Sequence, residues 1–153
     1  MVRFIACLTV LLMLAGCGKP PVTTLVVVPE PPAGTIVNGV LMVEITEVIQ
    51  EPGAKLLENA TSGMGIRLRR ARGDVAQLLA GQYTGTERIE FTFQQRQFHM
   101  TPGTYLLLLD RAGDIVGKCH VEDDGTVAVD DQGEARVTAE AMAEQAMGHP
   151  PLK

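Results

Sequence analysis

Apolar and polar positions alternate with a period of two through most of the chain after residue 35. Leu41, Val43 and Ile45 are separated by Met42, Glu44 and Thr46; Ile66 and Leu68 by Arg67, with Arg69 following; Ile89, Phe91 and Phe93 by Glu90 and Thr92. Successive side chains of a strand point to opposite faces, so each run predicts a half-buried strand with one wet face. Arg67 and Arg69 fall on the wet face of theirs. Residues 105–109 (Tyr-Leu-Leu-Leu-Leu) are apolar at every position and predict a central strand covered on both sides. Turn signals separate the runs: Pro52-Gly53, Ser62-Gly63, Arg72-Gly73-Asp74, Pro102-Gly103, Ala112-Gly113-Asp114 and Asp124-Gly125. Short strands at this spacing predict a mainly β fold, a single antiparallel β-sandwich of about seven strands over residues 35–132.

The period changes near the C-terminus. Ala139, Met142, Ala143, Ala146 and Met147 fall at i, i+3, i+4, i+7 and i+8, one stripe of a helix, with Glu140 and Glu144 on the other side. The expected C-terminal helix covers residues 133–148 and stops at Gly148 and Pro150. Its start is open: Thr138, or Asp131 with Glu134 three residues on, is the N-cap. The stripe is expected to pack on the core; a partner-binding face is the alternative.

At the other end, Arg3 is followed by an apolar stretch over residues 4–14 interrupted only by Thr9. Eleven helical residues rise about 16 Å, short of a bilayer core of about 30 Å but suited to a signal peptide. Leu14-Ala15-Gly16-Cys17 then resembles the lipobox of bacterial lipoproteins. The resemblance implies cleavage after residues 1–16, diacylglycerol on the Cys17 thiol, acylation of the new amino group, and a membrane anchor. Gly18 is not the Asp that marks inner-membrane retention in enterobacteria, which implies the periplasmic face of the outer membrane. The alternative is an ordinary secretory signal with a chance cysteine. Residues 17–34 are then the lipidated Cys and a Pro-rich tether, with Pro20, Pro21, Pro29, Pro31 and Pro32. In polyproline II such a tether reaches up to roughly 50 Å. Residues 22–28 interrupt it with a β-favouring run, which reads equally as a first strand.

Over residues 85–121, a glycine turn, the alternating Phe91 and Phe93, and Thr101-Pro102-Gly103-Thr104-Tyr105 opening an apolar strand are together similar to transthyretin-like and peptidase-regulatory-like β-sandwich modules. The resemblance implies a seven-stranded, non-catalytic unit of the adhesive, scaffolding or carbohydrate-binding kind.

Charge narrows the partners. The expected leader carries one base, Arg3, and no acid, so 13 basic side chains become 12 against 18 acidic ones. That balance argues against nucleic acid. Cys7 leaves with the leader and Cys17 is acylated, so Cys119 has no disulfide partner.

The candidate chemistry is sparse. Cys119 and His120 are neighbours on a predicted strand and point to opposite faces, Cys119 with Ile115, Gly117 and Val121, His120 with Val116, Lys118 and Glu122. Cys119 reads as a small buried residue and His120 as a solvated one. The acids at residues 122–124 and at Asp130, Asp131 and Glu134 invite a calcium site, but lack the spacing of a calcium loop and fit hairpin turns better. Arg67, Arg69, Arg70 and Arg72 are the one basic concentration. Arg67 and Arg69 make a candidate partner-binding face, with a plain solvated face as the alternative. His99, His120 and His149 are too scattered for a histidine metal site. No catalytic set, metal or cofactor is expected. The whole reads as a membrane-anchored lipoprotein, not an enzyme. Its β-sandwich is expected to serve as a structural or assembly subunit of a cell-envelope complex, bound to an envelope protein. A module binding glycan or a small ligand is the alternative.

Overall fold

The computed structural model describes residues 18–51 and 67–151. The expected signal peptide, Cys17, Ile66 and the turns at Pro52-Gly53 and Ser62-Gly63 lie outside them. The fold is mainly β, with eight strands and one helix among the described residues: β1 (Val22–Leu25), β2 (Gly39–Gln50), β3 (Leu68–Gly81), β4 (Arg88–Gln94), β5 (Gly103–Leu109), β6 (Ile115–His120), β7 (Thr126–Ala128), β8 (Arg136–Thr138) and α1 (Ala139–Ala146). Six strands form one sheet in the order β1-β4-β3-β2-β5-β6, and β7 and β8 form a separate hairpin. Every pair is antiparallel except β1 with β4.

The long sheet is curled. Leu25 from one edge and Ile115 from the other share a buried cluster with Leu41, Val43, Phe91 and Leu107, which a flat sheet cannot bring together. An isolated parallel bridge from Val27 to Ile115 spans the gap between the edges: Ile115 N–H donates to the Val26 carbonyl at 2.7 Å and Val28 N–H to the Ile115 carbonyl at 2.8 Å. Phe91, Phe93 and Phe98 pack with centroids 5.7 to 6.3 Å apart inside this curl, a separation at which tilted and edge-to-face rings attract. The run over residues 22–28 is therefore a strand and a bridge, and the extended leader before it shrinks to residues 18–21.

The outer face carries a second cluster. Leu106 and Leu108 of β5 meet Val40, Val127, Met142 and Ala143 there, while Tyr105, Leu107 and Leu109 point into the curl. The all-apolar strand is thus central and covered on both sides, as its sequence predicts. Alpha-helix α1 buries Ala139, Met142, Ala143 and Ala146 against this cluster. Of the two candidate caps the structure uses Thr138, whose hydroxyl accepts from Ala141 N–H at 3.2 Å. Residues 136–138 ahead of it are strand, because they pair with β7, so the helix is shorter than its expected 133–148.

Two sequence readings are corrected by pairing. Arg72-Gly73-Asp74 is not a turn but lies in mid-β3, matched by β2 on one side and β4 on the other. Glycine is there for closeness: a Cβ on Gly73 would stand 2.4 Å from the Glu44 carbonyl oxygen. In β6, a bulge where Leu108 pairs with Gly117 and Leu109 with Ile115 leaves Val116 as the extra residue. One added residue reverses which face the preceding side chain occupies. Ile115 therefore enters the inner cluster and Val116 joins Val121 and Cys119 outside.

Candidate functional site

The four arginines predicted as one patch are divided by their strand. Arg69 lies opposite Phe93, and Ala71 opposite the buried Phe91, so Arg69 sits on the inward side at the rim of the curl rather than on the outer wet face. Its Nε donates to Gln95 Oε1 at 3.2 Å. Arg67, exposed, lies just before β3. The sequence misplaces Arg69 because alternation says which residues share a face but not which face is the core. Arg70 and Arg72 point to the outside and find carboxylates on both neighbouring strands. Arg70 is clamped by both oxygens of Glu51, which raises its already high pKa through that hydrogen bond. Arg72 lies 3.3 Å from Glu47 and 3.4 Å from Glu90, and Arg88 3.8 Å from Asp74. The outcome is a charge-paired ladder across β2, β3 and β4. All of it but the Arg70–Glu51 pair lines an open groove of about 560 Å³ together with Lys19, Pro20 and Thr46. No sequence signal announces this groove, since its members come together only through strand pairing.

A second open groove, about 510 Å³, runs between β6, the β7–β8 hairpin and α1, and holds Cys119, His120, Asp130 and His149 in its lining. Cys119 is partly buried against the outer cluster, and burial pushes its thiol pKa up, with Lys118 opposing. A thiol so placed is a poor nucleophile at neutral pH. The His120 ring stacks edge-on to Tyr105 at 5.2 Å, with Nδ1 3.6 Å from Glu122. Lys118 Nζ sits 5.3 Å from the Phe98 ring centroid and 5.8 Å from that of Tyr105, within cation–π range.

Two of the acidic residues, Asp124 and Asp130, serve backbone turns. Asp124 Oδ1 accepts from the Thr126 hydroxyl at 2.6 Å and from Thr126 N–H at 3.0 Å, and these bonds hold its carboxyl below the usual range. Asp130 accepts from the N–H groups of Ala135 and Glu134, both at 2.9 Å, with the same effect on its pKa. Gly125, at φ +79°, completes the first turn in the left-handed region that glycine enters freely. Among the described residues no three His, Cys, Asp or Glu side chains are grouped to hold a metal ion. A third groove, at the rim where β1 leaves β4, is polar: Asn38, Gln82, Tyr83 and Arg111 line about 430 Å³. Tyr83 donates its hydroxyl to the Thr86 carbonyl at 2.8 Å, and burial pushes its pKa up.

Among the described residues no helix is long and apolar enough to cross a membrane. No family model matches the chain, and neither a curated protein nor a solved structure matches it.

Proposed function

We propose that this chain is a bacterial lipoprotein, held through acylated Cys17 to the periplasmic face of the outer membrane. Its β domain acts without catalysis as a structural or assembly subunit of a cell-envelope complex. The observation that carries the reading is the sequence Leu14-Ala15-Gly16-Cys17 at the end of a short apolar stretch, followed within five residues by the first strand of the domain. The non-catalytic role is supported by where the reactive groups are spent: the Cys119 thiol is held protonated by burial, and Asp124 and Asp130 accept backbone N–H groups. The finer fold, a layered sandwich of the transthyretin-like kind, belongs to the same proposal. Its support is that Val127 and Val137 of the hairpin pack in one cluster with Leu106 and Leu108 of the large sheet.

Fatty-acid labelling tests the anchor. Wild type is expected to take label and Cys17→Ser to take none, remaining an uncleaved precursor. An unlabelled wild type refutes the reading. Mild crosslinking followed by purification tests the role, with one envelope protein as the expected product. A second reading, a module binding glycan or a small ligand, is favoured by the polar groove around Asn38, Gln82, Tyr83 and Arg111. Recovery of peptidoglycan or free glycan instead of protein would establish it.

A further inference from the structure

We infer that the charge-paired outer face of β2, β3 and β4 is the membrane-facing surface of the domain, and that it rests on lipid headgroups. The inference relies on the anchor proposed above. Its basis is the length of the leash. Thr23 is locked to Thr86, its hydroxyl 2.9 Å from the Thr86 hydroxyl and accepting from Thr86 N–H at 2.7 Å, while Leu25 is buried in the inner cluster. Strand β1 therefore gives no slack, and only residues 18–21 separate it from Cys17.

Four extended residues reach at most about 14 Å. That is about the radius of gyration of a 100-residue domain, roughly 13 Å. A body on so short a leash cannot turn its far side to the bilayer. The leash also lies along this face, since Lys19 and Pro20 line the groove with Arg72 and Arg88, and the Pro20-Pro21 pair stiffens it.

Charge agrees with the placement. Lys19 and the three arginines of the ladder nearly balance the five carboxylates of the face, Glu44 opposite Asp74 being the one outside the ion pairs. Most of the acidic excess among the described residues therefore lies off this face. Above an anionic or zwitterionic headgroup layer, the acidic remainder turns outward and the nearly balanced face turns in. The groove lining contains no aromatic residue, and among its apolar side chains Val22 is 47% exposed. The face lies on the headgroups and does not enter the hydrocarbon.

The test uses the acylated full chain in vesicles of phosphatidylethanolamine and phosphatidylglycerol, with Cys119→Ala as background. A fluorophore is placed at Thr46→Cys in the groove, or at Glu140→Cys on the exposed side of α1. Headgroup-bound nitroxide should quench the probe at 46 several-fold more than the probe at 140. Inserting about 20 Gly/Ser residues after Gly18, with an r.m.s. reach of about 25 Å, should reduce that ratio. Equal quenching at both positions in a chain that mass spectrometry shows to be acylated overturns the orientation and leaves the anchor standing. A chain without acyl mass overturns both.

Discussion

Ala143 is fully buried at the centre of the contact between α1 and the outer face of the sheet, so Ala143→Asp tests that contact directly. At pH 7 the new carboxyl must either shed its charge or pull the helix off. Neutralising a group with an ordinary pKa of about 3.9 costs about 4 kcal/mol at pH 7, and burying the neutral acid unpaired adds about 1 to 3. Undocking α1 instead exposes one Met and three Ala side chains, a loss of about 4 to 5 kcal/mol at roughly 0.8 per methyl and 1.5 to 3 for Met. Undocking is the cheaper route at pH 7, so about 4 to 5 kcal/mol of destabilisation is expected. With no Trp and two Tyr in the chain, urea unfolding is best followed by far-ultraviolet circular dichroism. At a slope of about 2 kcal/mol/M the midpoint should fall by about 2 M. The sign of the pH dependence is fixed. The folded variant holds a proton that the unfolded chain releases above about pH 4, so its deficit relative to wild type is smallest below pH 4. The deficit grows as pH rises, then levels off once undocking is the cheaper route. Glu144→Gln, on the exposed side, should change stability by a few tenths of a kcal/mol. A deficit at Ala143 no larger than that control, or one that is flat between pH 4 and 7, would refute the docking.

Gly73→Ala should cost more than 2 kcal/mol, because its Cβ meets the Glu44 carbonyl and the Ile45 Cα at 3.0 Å; Gly113→Ala, at φ +86° in open space, should cost about 1, and thermal melts of the two give the comparison. Cys119 in the folded domain should react with maleimide at pH 7 far more slowly than in the urea-unfolded chain, since burial raises its pKa; equal rates would place the thiol at the surface. Asp124 and Asp130 titrate lower in the folded than in the unfolded chain, so their stabilisation is present above about pH 4 and is lost as pH falls through the lowered values. Asp130→Asn should flatten part of that acid limb in a pH series of melts.

What the sequence discloses is what local periodicity controls. The run at 105–109 reads as a doubly covered strand because no position in it is polar, and Leu106 and Leu108 do face away from Tyr105 and Leu107. Thr138 is legible as one of two candidate caps from its place before the Ala-Met stripe, and the pairing of β8 decides for it. The losses are all matters of partner. Nothing local tells Val22 that it will lie beside Arg88 in parallel. The bulge at Val116 moves Ile115 across the sheet without altering the apolar pattern. Arg72-Gly73-Asp74 has turn composition, yet Gly73 answers to a neighbouring backbone that only the folded sheet supplies. The arginine patch divides for the same reason, since Glu47 and Glu90 arrive from other strands and Glu51 from just past the end of β2.

The bridges that join distant parts of the chain set the order of folding. Val27 waits for Ile115, and Val37 waits for the last turn: its N–H donates to the His149 carbonyl at 2.9 Å while its own carbonyl accepts from Gly148 N–H at 2.9 Å. A chain emerging N-terminus first has no partner for the Val27 bridge until residue 115 and none for the Val37 bridge until residue 147. Loop closure over such spans precedes the contacts that reward it, which places folding in the millisecond-to-second range typical of non-local β topologies. These two closures are therefore among the last contacts a nascent chain can make. Ending it before residue 147 removes the clasp on Val37 along with the tail.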